Sequence, residues 1–423
     1  MQNSFAYRDR LLYCEGLSVA QIAGRIGTPF YLYSSQSMQE QFRDYDRAFA
    51  SIPHVICFSM KANSNLAVVR LFVNEGGGVD IVSGGELFRA VRAGADPKKI
   101  VFSGVGKTRE EIAGALKSGI LMLNVESLPE LRTIDHVAQE LGLKAPVALR
   151  INPDVDPHTH DYTATGKKES KFGIDLDQAM DGYRLTRSLN HLEVVGVDVH
   201  IGSQITEVEP YELALVKVKS FVDQLRSEGF GIRYFDFGGG LGIPYKDEKP
   251  PSPREFADRV LPILSAMDVT VIFEPGRFLV GNGGILVCKV LYVKDSNARS
   301  HVIVDAAMND LIRPSLYGAY QEIIPVSLPL ETDRRVTADV VGPVCESGDF
   351  LGKDREIPPV QVGDMLAVLG AGAYGFTMSS NYNSRPRVPE ALVRGGEFHV
   401  VRRRETFEDL VRGEEIPMFL RGG

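Results

Sequence analysis

Lys61 closes an apolar run. His54–Met60 has the composition of a short buried strand, and the ammonium follows it in CFSMKAN (57–63), with the amide of Asn63 two residues on. One reading has the stem leave the core and the head snorkel to water. The other makes the amine a nucleophile for Schiff-base chemistry at the mouth of a site. Two further segments bear on the choice. FGGGLG (237–242) sets three glycines in succession, which lets backbone N–H groups approach an anion closely; the plainer reading is a flexible turn before Pro244. EPGR (274–277) places a carboxylate and a guanidinium three residues apart. That pair is either a structural ion pair at a turn, or Glu274 facing a cationic ring nitrogen with Arg277 on a phosphate or carboxylate. An amine, an anion cradle and a carboxylate for a ring nitrogen together suggest pyridoxal phosphate, which needs a Schiff-base lysine and a partner for its pyridine nitrogen.

Such groups must be carried by a frame. β-rich runs occur at 55–59, 79–82, 100–102, 121–124, 146–151, 195–201, 234–237 and 270–274. Helical patterns lie between them: NLAVVRLFVNEG (65–76), GELFRAVRAG (85–94), REEIAGALKSG (109–119), SLPELRTIDHVAQELG (127–142) and YELALVKVKSFVDQLRSEG (211–229). Strands alternating with helices predict an α/β fold, a (β/α)8 TIM-like barrel, with a doubly wound sheet as the competing assignment. In such barrels chemistry sits at the C-terminal strand ends. Those ends read Lys61 and Asn63, VSGGE (82–86), SGVGK (103–107), NVES (124–127), RINP (150–153), HIGSQ (200–204), FGGGLG and EPGR. The loops after strands seven and eight are the usual phosphate site. After about residue 280 the texture becomes strand-like, as in ILVCKVLYVKDS, RVTADVVGPV and DMLAVLGAGAY, with Pro-rich connections. The expected division is a barrel over 30–280 and a β-sandwich or barrel-like C-terminal β domain, 281–423, that also takes in the N-terminal segment 1–29.

The 423 residues are 44% hydrophobic and 24% charged, with a net charge of −8. That balance fits a folded domain pair and argues against a general nucleic-acid binder. Cys14, Cys57, Cys288 and Cys345 are far apart with no CxxC, so neither a disulfide framework nor a cysteine metal site is expected. MQNSFAYRDRLLYCEG lacks an apolar signal core, and Ile285–Val293 is interrupted by Lys289 and too short to span a bilayer. A cytoplasmic location and no membrane partner are expected.

The segments FSMKAN, GVDIVSGGEL, KFGID, GVDVHIGSQI, DFGGGLGIPY, FEPGR, IRPSLYGAY, VCESGDF and GAYGFTMSSNYNSRPR (372–387) together resemble the diaminopimelate decarboxylase family, from about residue 25 to 400. The resemblance implies a fold-type III, alanine-racemase-like barrel with a C-terminal β domain. It implies pyridoxal 5′-phosphate as cofactor and a homodimer with active sites at the interface. The implied reaction converts meso-2,6-diaminopimelate to L-lysine and carbon dioxide, the last step of lysine biosynthesis. Carried over residue by residue, Lys61 would form the Schiff base, His200 would stack on the cofactor ring and Ser203 would lie near the phosphate. Gly238, Gly239 and Gly240 would cradle that phosphate, and Glu274 would pair with the pyridine nitrogen. Gly276 and Arg277 would line the phosphate and substrate side. Arg313 and Tyr317 would bind the substrate's remote end, Cys345 and Glu346 would come from the partner subunit, and Tyr374 would close the pocket. Cys345 is the candidate proton donor, with Lys61 as the alternative. Lys61 must act as a neutral amine, which calls for desolvation or neighbouring cations. In THDYTATG (159–166) Asp161 and Thr163 depart from the family's more usual proline and isoleucine. Two other readings stay open: a decarboxylase of another basic amino acid or of carboxynorspermidine, and a catalytically silent cofactor-binding regulator.

Overall fold

A computed structural model describes residues 5–156, 171–295, 299–330 and 334–421; the THDYTATG departures lie outside the described residues. The chain forms two compact units, one of Ser37–Asn282 and one of Met1–Gln36 with Gly283–Gly423.

The first unit is a closed barrel. Its strands are His54–Ser59, Gly78–Ile81, Ile100–Phe102, Met122–Val125, Ala145–Asn152, Leu192–Asp198, Tyr234–Asp236 and Thr270–Phe273, all parallel to their neighbours. Closure comes where Thr270–Phe273 pairs with His54–Ser59 in the register Val271 to His54. A two-residue strand, Ile174–Asp175, adds to the edge of Ala145–Asn152. Both faces of a closed parallel sheet are covered, so its strands are near-continuous apolar runs. Cys57, Val101, Met122, Ala148, Val195 and Ile272 form one buried interior cluster. This interior is packed, and polar side chains are confined to the strand ends.

Helices return the chain between strands, and their ends are encoded locally. Thr108 and Glu111 form a reciprocal capping box for Arg109–Ser118, and Gly119 closes that helix at φ 67°. Ser83 caps Gly84–Arg92 by accepting from Glu86 N–H, and Ser127 caps Leu128–Leu141 in the same way. Pro253–Leu264 starts from a second capping box, Ser252 with Glu255. Ser35–Phe49 packs Met38, Phe42, Tyr45 and Phe49 inward. Neither of these last two helices was among the helical patterns read from the sequence.

Among the described residues the second unit holds a mixed nine-stranded sheet and a three-stranded antiparallel one, Phe5–Arg8, Leu11–Cys14 and Leu17–Ser18. Its long strand Gly284–Asp295 pairs antiparallel with Phe30–Ser34 and Met365–Val368, and its far half with Ser300–Val304. Phe30–Ser34 also pairs parallel with Glu390–Arg394, and all five of its residues are buried. This corrects the expected boundary at residue 30. FYLYS bonds to strands of the second unit on both edges, so the barrel unit begins at Ser37.

Strand spacing leaves no room for a side chain at Gly78, where a Cβ would sit 2.0 Å from the backbone oxygen of Lys99. Gly78→Ala should therefore lower the unfolding free energy by about 1–3 kcal/mol, the usual cost of overpacking. Urea unfolding checks this, and an unchanged midpoint would contradict the packing described.

Candidate active site

Polar residues converge at the C-terminal ends of the barrel strands. Lys61 lies in a single 3-10 turn, Met60–Ala62, directly after the first strand. Its Nζ donates to Asp80 Oδ2 at 2.5 Å. Asp80, on the second strand, is fully buried, and the same oxygen accepts from Ser59 Oγ at 2.6 Å. Its Oδ1 has no hydrogen-bond partner among the described residues.

Three more carboxyls crowd this interior. Asp198 ends the sixth strand, Asp236 ends the seventh, and Glu274 follows the eighth. All three are buried. Asn124 Nδ2 donates to Asp236 Oδ2 (2.8 Å) and to Ser103 Oγ (3.1 Å), and Ser103 Oγ donates to Glu274 Oε1 at 3.3 Å. Burial, then the charges of Asp236 and Asp80, push the Glu274 carboxyl well above the ordinary range, against the pull of Lys61. Burial and Asp236 do the same to Asp198, against Arg150. Burial raises Asp236 to about 6, opposed first by the donors Asn124 and Gly238.

His200 is held as a neutral imidazole. Its Nδ1 accepts from Gly239 N–H at 3.2 Å, and burial with Arg150 and Lys61 nearby drives its pKa well down. Arg150 donates to the His200 carbonyl (3.3 Å) and to Glu126 Oε1 (2.9 Å). Glu126 also accepts from Gly104 and Gly173 N–H, which ties three loops together.

The glycine triplet differs in part from the expected cradle. Gly238 N–H turns inward to Asp236 Oδ1 at 3.0 Å, and Gly239 N–H goes to His200 Nδ1. These two amides therefore brace the site, and Gly240 alone is partly exposed. The glycines are required by contour: a Cβ on Gly239 would lie 2.1 Å from the Glu274 oxygen, and one on Gly240 2.4 Å from that of Gly202. Gly238 and Gly240 also adopt φ 67° and 104°, where side chains are strained. Beside them Arg277, buried, donates to Ser203 Oγ (3.1 Å) and Tyr245 Oη (2.7 Å). Gly276 fits because a Cβ there would press at 3.0 Å on that of Ser59.

The arrangement suits a phosphorylated aldehyde with a basic ring nitrogen. The strand ends offer an amine, a glycine turn with Ser203 and Arg277, and a group of buried carboxyls that favours a cation. The comparisons agree. Residues 35–281 match the pyridoxal-dependent decarboxylase family, pyridoxal binding domain. The diaminopimelate decarboxylase of Pseudomonas aeruginosa is 51% identical over 98% of this chain and 99% of its own.

The chain belongs to the diaminopimelate decarboxylase family.

Solved members agree in fold. The Helicobacter pylori diaminopimelate decarboxylase, complexed with L-lysine, has 43% identity and a TM-score of 0.89 over 93% of this chain and 98% of that one. The M. jannaschii enzyme, also with L-lysine, has 38% identity and a TM-score of 0.94 over 98% of both. The chain is thus a pyridoxal-phosphate-dependent decarboxylase of the (β/α)8 class.

Of the residues singled out in the sequence, Lys61, His200, Ser203, Gly238, Gly239, Gly240, Glu274 and Gly276 lie on loops or turns at the barrel's C-terminal strand ends, and Arg277 opens the short helix Arg277–Val280 there. Asp80, Asp198, Asp236 and Arg150 belong with them and were missed. Lys61 has a carboxylate at contact distance, where neighbouring cations or desolvation had been expected.

The other five singled-out residues lie in the second unit. Arg313 is buried and opens the short helix Arg313–Tyr317, which ends at Gly318 in the left-handed region. Tyr317 is half-buried. Ser315 Oγ donates to Gly348 O at 2.6 Å, linking that helix to the loop of Cys345 and Glu346. Both of those side chains are exposed. Cys345 N–H donates to Asn383 Oδ1 at 2.9 Å, and Glu346 accepts from Tyr382, raising the phenol's pKa. Tyr374 holds φ 54°, an uncommon conformation for a non-glycine residue and one that clusters at functional sites.

The raised Asp236 pKa has a consequence for stability. The folded value, about 6, lies above the ordinary value of about 3.9. Its favourable contribution is therefore present below about pH 4 and lost as pH rises through 6. The apoprotein should lose melting temperature relative to Asp236→Asn across that interval. Parallel melting curves from pH 4 to 8 would refute the assignment.

Proposed function

We propose that this chain decarboxylates meso-2,6-diaminopimelate at its D-centre, giving L-lysine and carbon dioxide as the last step of lysine biosynthesis. The observation that carries the reading is 51% identity across both full lengths with a diaminopimelate decarboxylase. A barrel rim that gathers an amine, a glycine turn and a buried carboxyl is consistent with it.

When bound, pyridoxal phosphate supplies a carbonyl that links to amines and a ring that accepts the electrons left by departing carbon dioxide. The protein's part is to bind, orient and move protons. Lys61 provides the amine that anchors the cofactor. Glu274 holds a proton at the ring nitrogen, and the surrounding buried carboxyls reinforce a positive charge there. An arginine in its place would make the ring a weaker electron sink, so Glu274 favours decarboxylation over racemisation. His200 lays its neutral ring against the cofactor face. Ser203, Gly240, Gly276, Arg277 and Tyr374 hold the phosphate, with Gly238 and Gly239 shaping the turn.

Substrate choice rests on the remote end. Diaminopimelate carries a second carboxylate and a second ammonium there, which ornithine and arginine do not combine. Arg313 with Tyr317 receives the carboxylate through a planar, bidentate-capable guanidinium, and Glu346 receives the ammonium. Cys345 delivers a proton to the carbon that has lost carbon dioxide. Cys345 and Glu346 act from the partner subunit of a homodimer. The four free thiols suit a reducing compartment, and we place the enzyme in the cytoplasm.

Carbon dioxide release from diaminopimelate, lysine, ornithine and arginine tests the substrate directly, and fastest turnover of ornithine would overturn the reading of Arg313. Lys61→Ala should abolish turnover and borohydride fixation of the cofactor, with mass spectrometry finding the reduced label on residue 61 of the parent protein. Arg313→Ala should weaken substrate binding by ~2–5 kcal/mol, the range for removing one partner of a buried charge pair. Unchanged kinetics would remove Arg313 from the site.

A further inference from the structure

The ion pair at the barrel mouth has no part in the mechanism above. Asp80 is fully buried, yet one of its oxygens holds Lys61 Nζ at 2.5 Å and Ser59 Oγ at 2.6 Å. Both donors come from the end of the first strand and the turn that follows it, and the acceptor comes from the adjacent second strand. Ser59 and Asp80 are register partners in the strand pairing. The contact is therefore set by the sheet itself. The lysine side chain remains 35% exposed while its amine is tethered to the fully buried carboxylate.

We propose that Asp80 is the resting partner of Lys61 whenever that lysine is not covalently engaged, holding its ammonium at the barrel mouth and setting how readily the amine becomes nucleophilic. This rests on the reading of Lys61 as the covalent lysine.

The electrostatics of the neighbourhood single out Asp80. The titratable groups interacting with this pair are Glu86 from the following helix, Cys57 on the first strand, His200, Asp198, Asp236 and Glu274. Glu86 is turned to Val82 N–H at 2.7 Å, and Asp236 is bound by Asn124 and Gly238. Glu274 accepts from Ser103. Asp80 holds the lysine ammonium at contact distance, 2.5 Å. Its other oxygen, Oδ1, is buried without a donor among the described residues, so it can take a second hydrogen of the same ammonium as the side chain swings. A carboxylate at this distance favours the charged amine over the neutral one. Asp80 thus acts as a catch: it keeps the free lysine in place and charged until a proton leaves.

The test measures lysine reactivity. Full-length protein is freed of cofactor with hydroxylamine, checked for folding by circular dichroism, and acylated with acetic anhydride at pH 8, with mass spectrometry reading each lysine. The exposed Lys144 and Lys249 are internal references. Asp80→Asn keeps the shape and an acceptor but removes the charge; it should speed acylation of Lys61 at least about tenfold and leave the references unchanged. Ser59→Ala, which leaves the carboxylate in place, should change the rate less than threefold. Equal Lys61 rates in Asp80→Asn and the parent protein overturn the proposal, and so does an equal acceleration in both variants, which would signal a loosened turn. If Asp80→Asn does not fold, Asp80→Glu replaces it: a Lys61 rate within threefold of the parent supports the charge catch, and a tenfold rise overturns it. Borohydride labelling of the holoenzyme tests the reading of Lys61 separately. A label elsewhere sinks that reading while the acylation rates still report on the ion pair.

Discussion

The interior of this barrel carries more negative groups than positive ones. Asp80, Asp198, Asp236 and Glu274 are all buried at the C-terminal ends of the strands, with Glu126 beyond them, while Lys61 and Arg150 are the cations that interact with them. Burying a carboxylate without a partner is expensive, so such groups either take up protons or attract a cation. Protons meet part of that demand, since the carboxyls of Glu274, Asp198 and Asp236 are all raised. A protonated ring nitrogen would meet it better, because it brings a positive charge beside Glu274, whose carboxyl is raised by burial and then by Asp236 and Asp80. The same crowding explains why Lys61 and Arg150 are held so tightly: each cation faces a carboxyl within hydrogen-bond reach.

The glycine turn follows from the same constraint. Asp236 is kept in place partly by Gly238 N–H, and Glu274 N–H donates to Gly238 O at 2.7 Å. The turn proposed to face a phosphate is thereby fastened to the carboxyls proposed to face the ring. Two glycine amides are committed to Asp236 and His200, so the anion must be met by the remaining turn and by side chains. Ser203 and Arg277, bonded to each other, take that role in the proposed reading. On the proposed reading, anion affinity is shared between backbone contour and a buried guanidinium, and a substitution at Gly239 would press on the Glu274 carbonyl.

How much of this could be read in the chain depends on which force sets each feature. The barrel strands were legible to within three residues at either end because a parallel sheet covered on both faces must be written as apolar runs. The helix Pro253–Leu264 was not read, although S-P-R-E at 252–255 is a capping-box pattern; its interior Pro262 obscures the helical period. Ser35–Phe49 was missed because ten of its fifteen residues are polar or charged, leaving Met38, Phe42, Tyr45 and Phe49 as a sparse stripe. The strand Phe30–Ser34 looked like a barrel lead-in because sequence order alone cannot say which sheet an apolar run joins. The position of the glycine triplet, Lys61 and Glu274 at strand ends was legible from residue type, but the direction of the glycine N–H groups is a property of φ and ψ that letters do not carry.

Asp80, Asp198 and Asp236 could have been found from the sequence. Each is an aspartate flanked by apolar residues where a core strand ends: Val79-Asp80-Ile81, Val197-Asp198-Val199, Phe235-Asp236-Phe237. One such residue is a strand-end turn signal. Three on the strands of a single closed barrel share one space when they fall on the inward faces, which converge, and the mutual repulsion of Asp80, Asp198 and Asp236 shows that they do. Convergence of like charges in a packed core has no structural benefit of its own, since mutual repulsion and desolvation both oppose it. The cost is tolerable only where protons, an ammonium or a cationic ligand completes the charge balance. The repeated pattern is therefore evidence for a cation-seeking site before any side chain is placed, and Lys61, at the end of the first strand, is the cation the chain itself supplies.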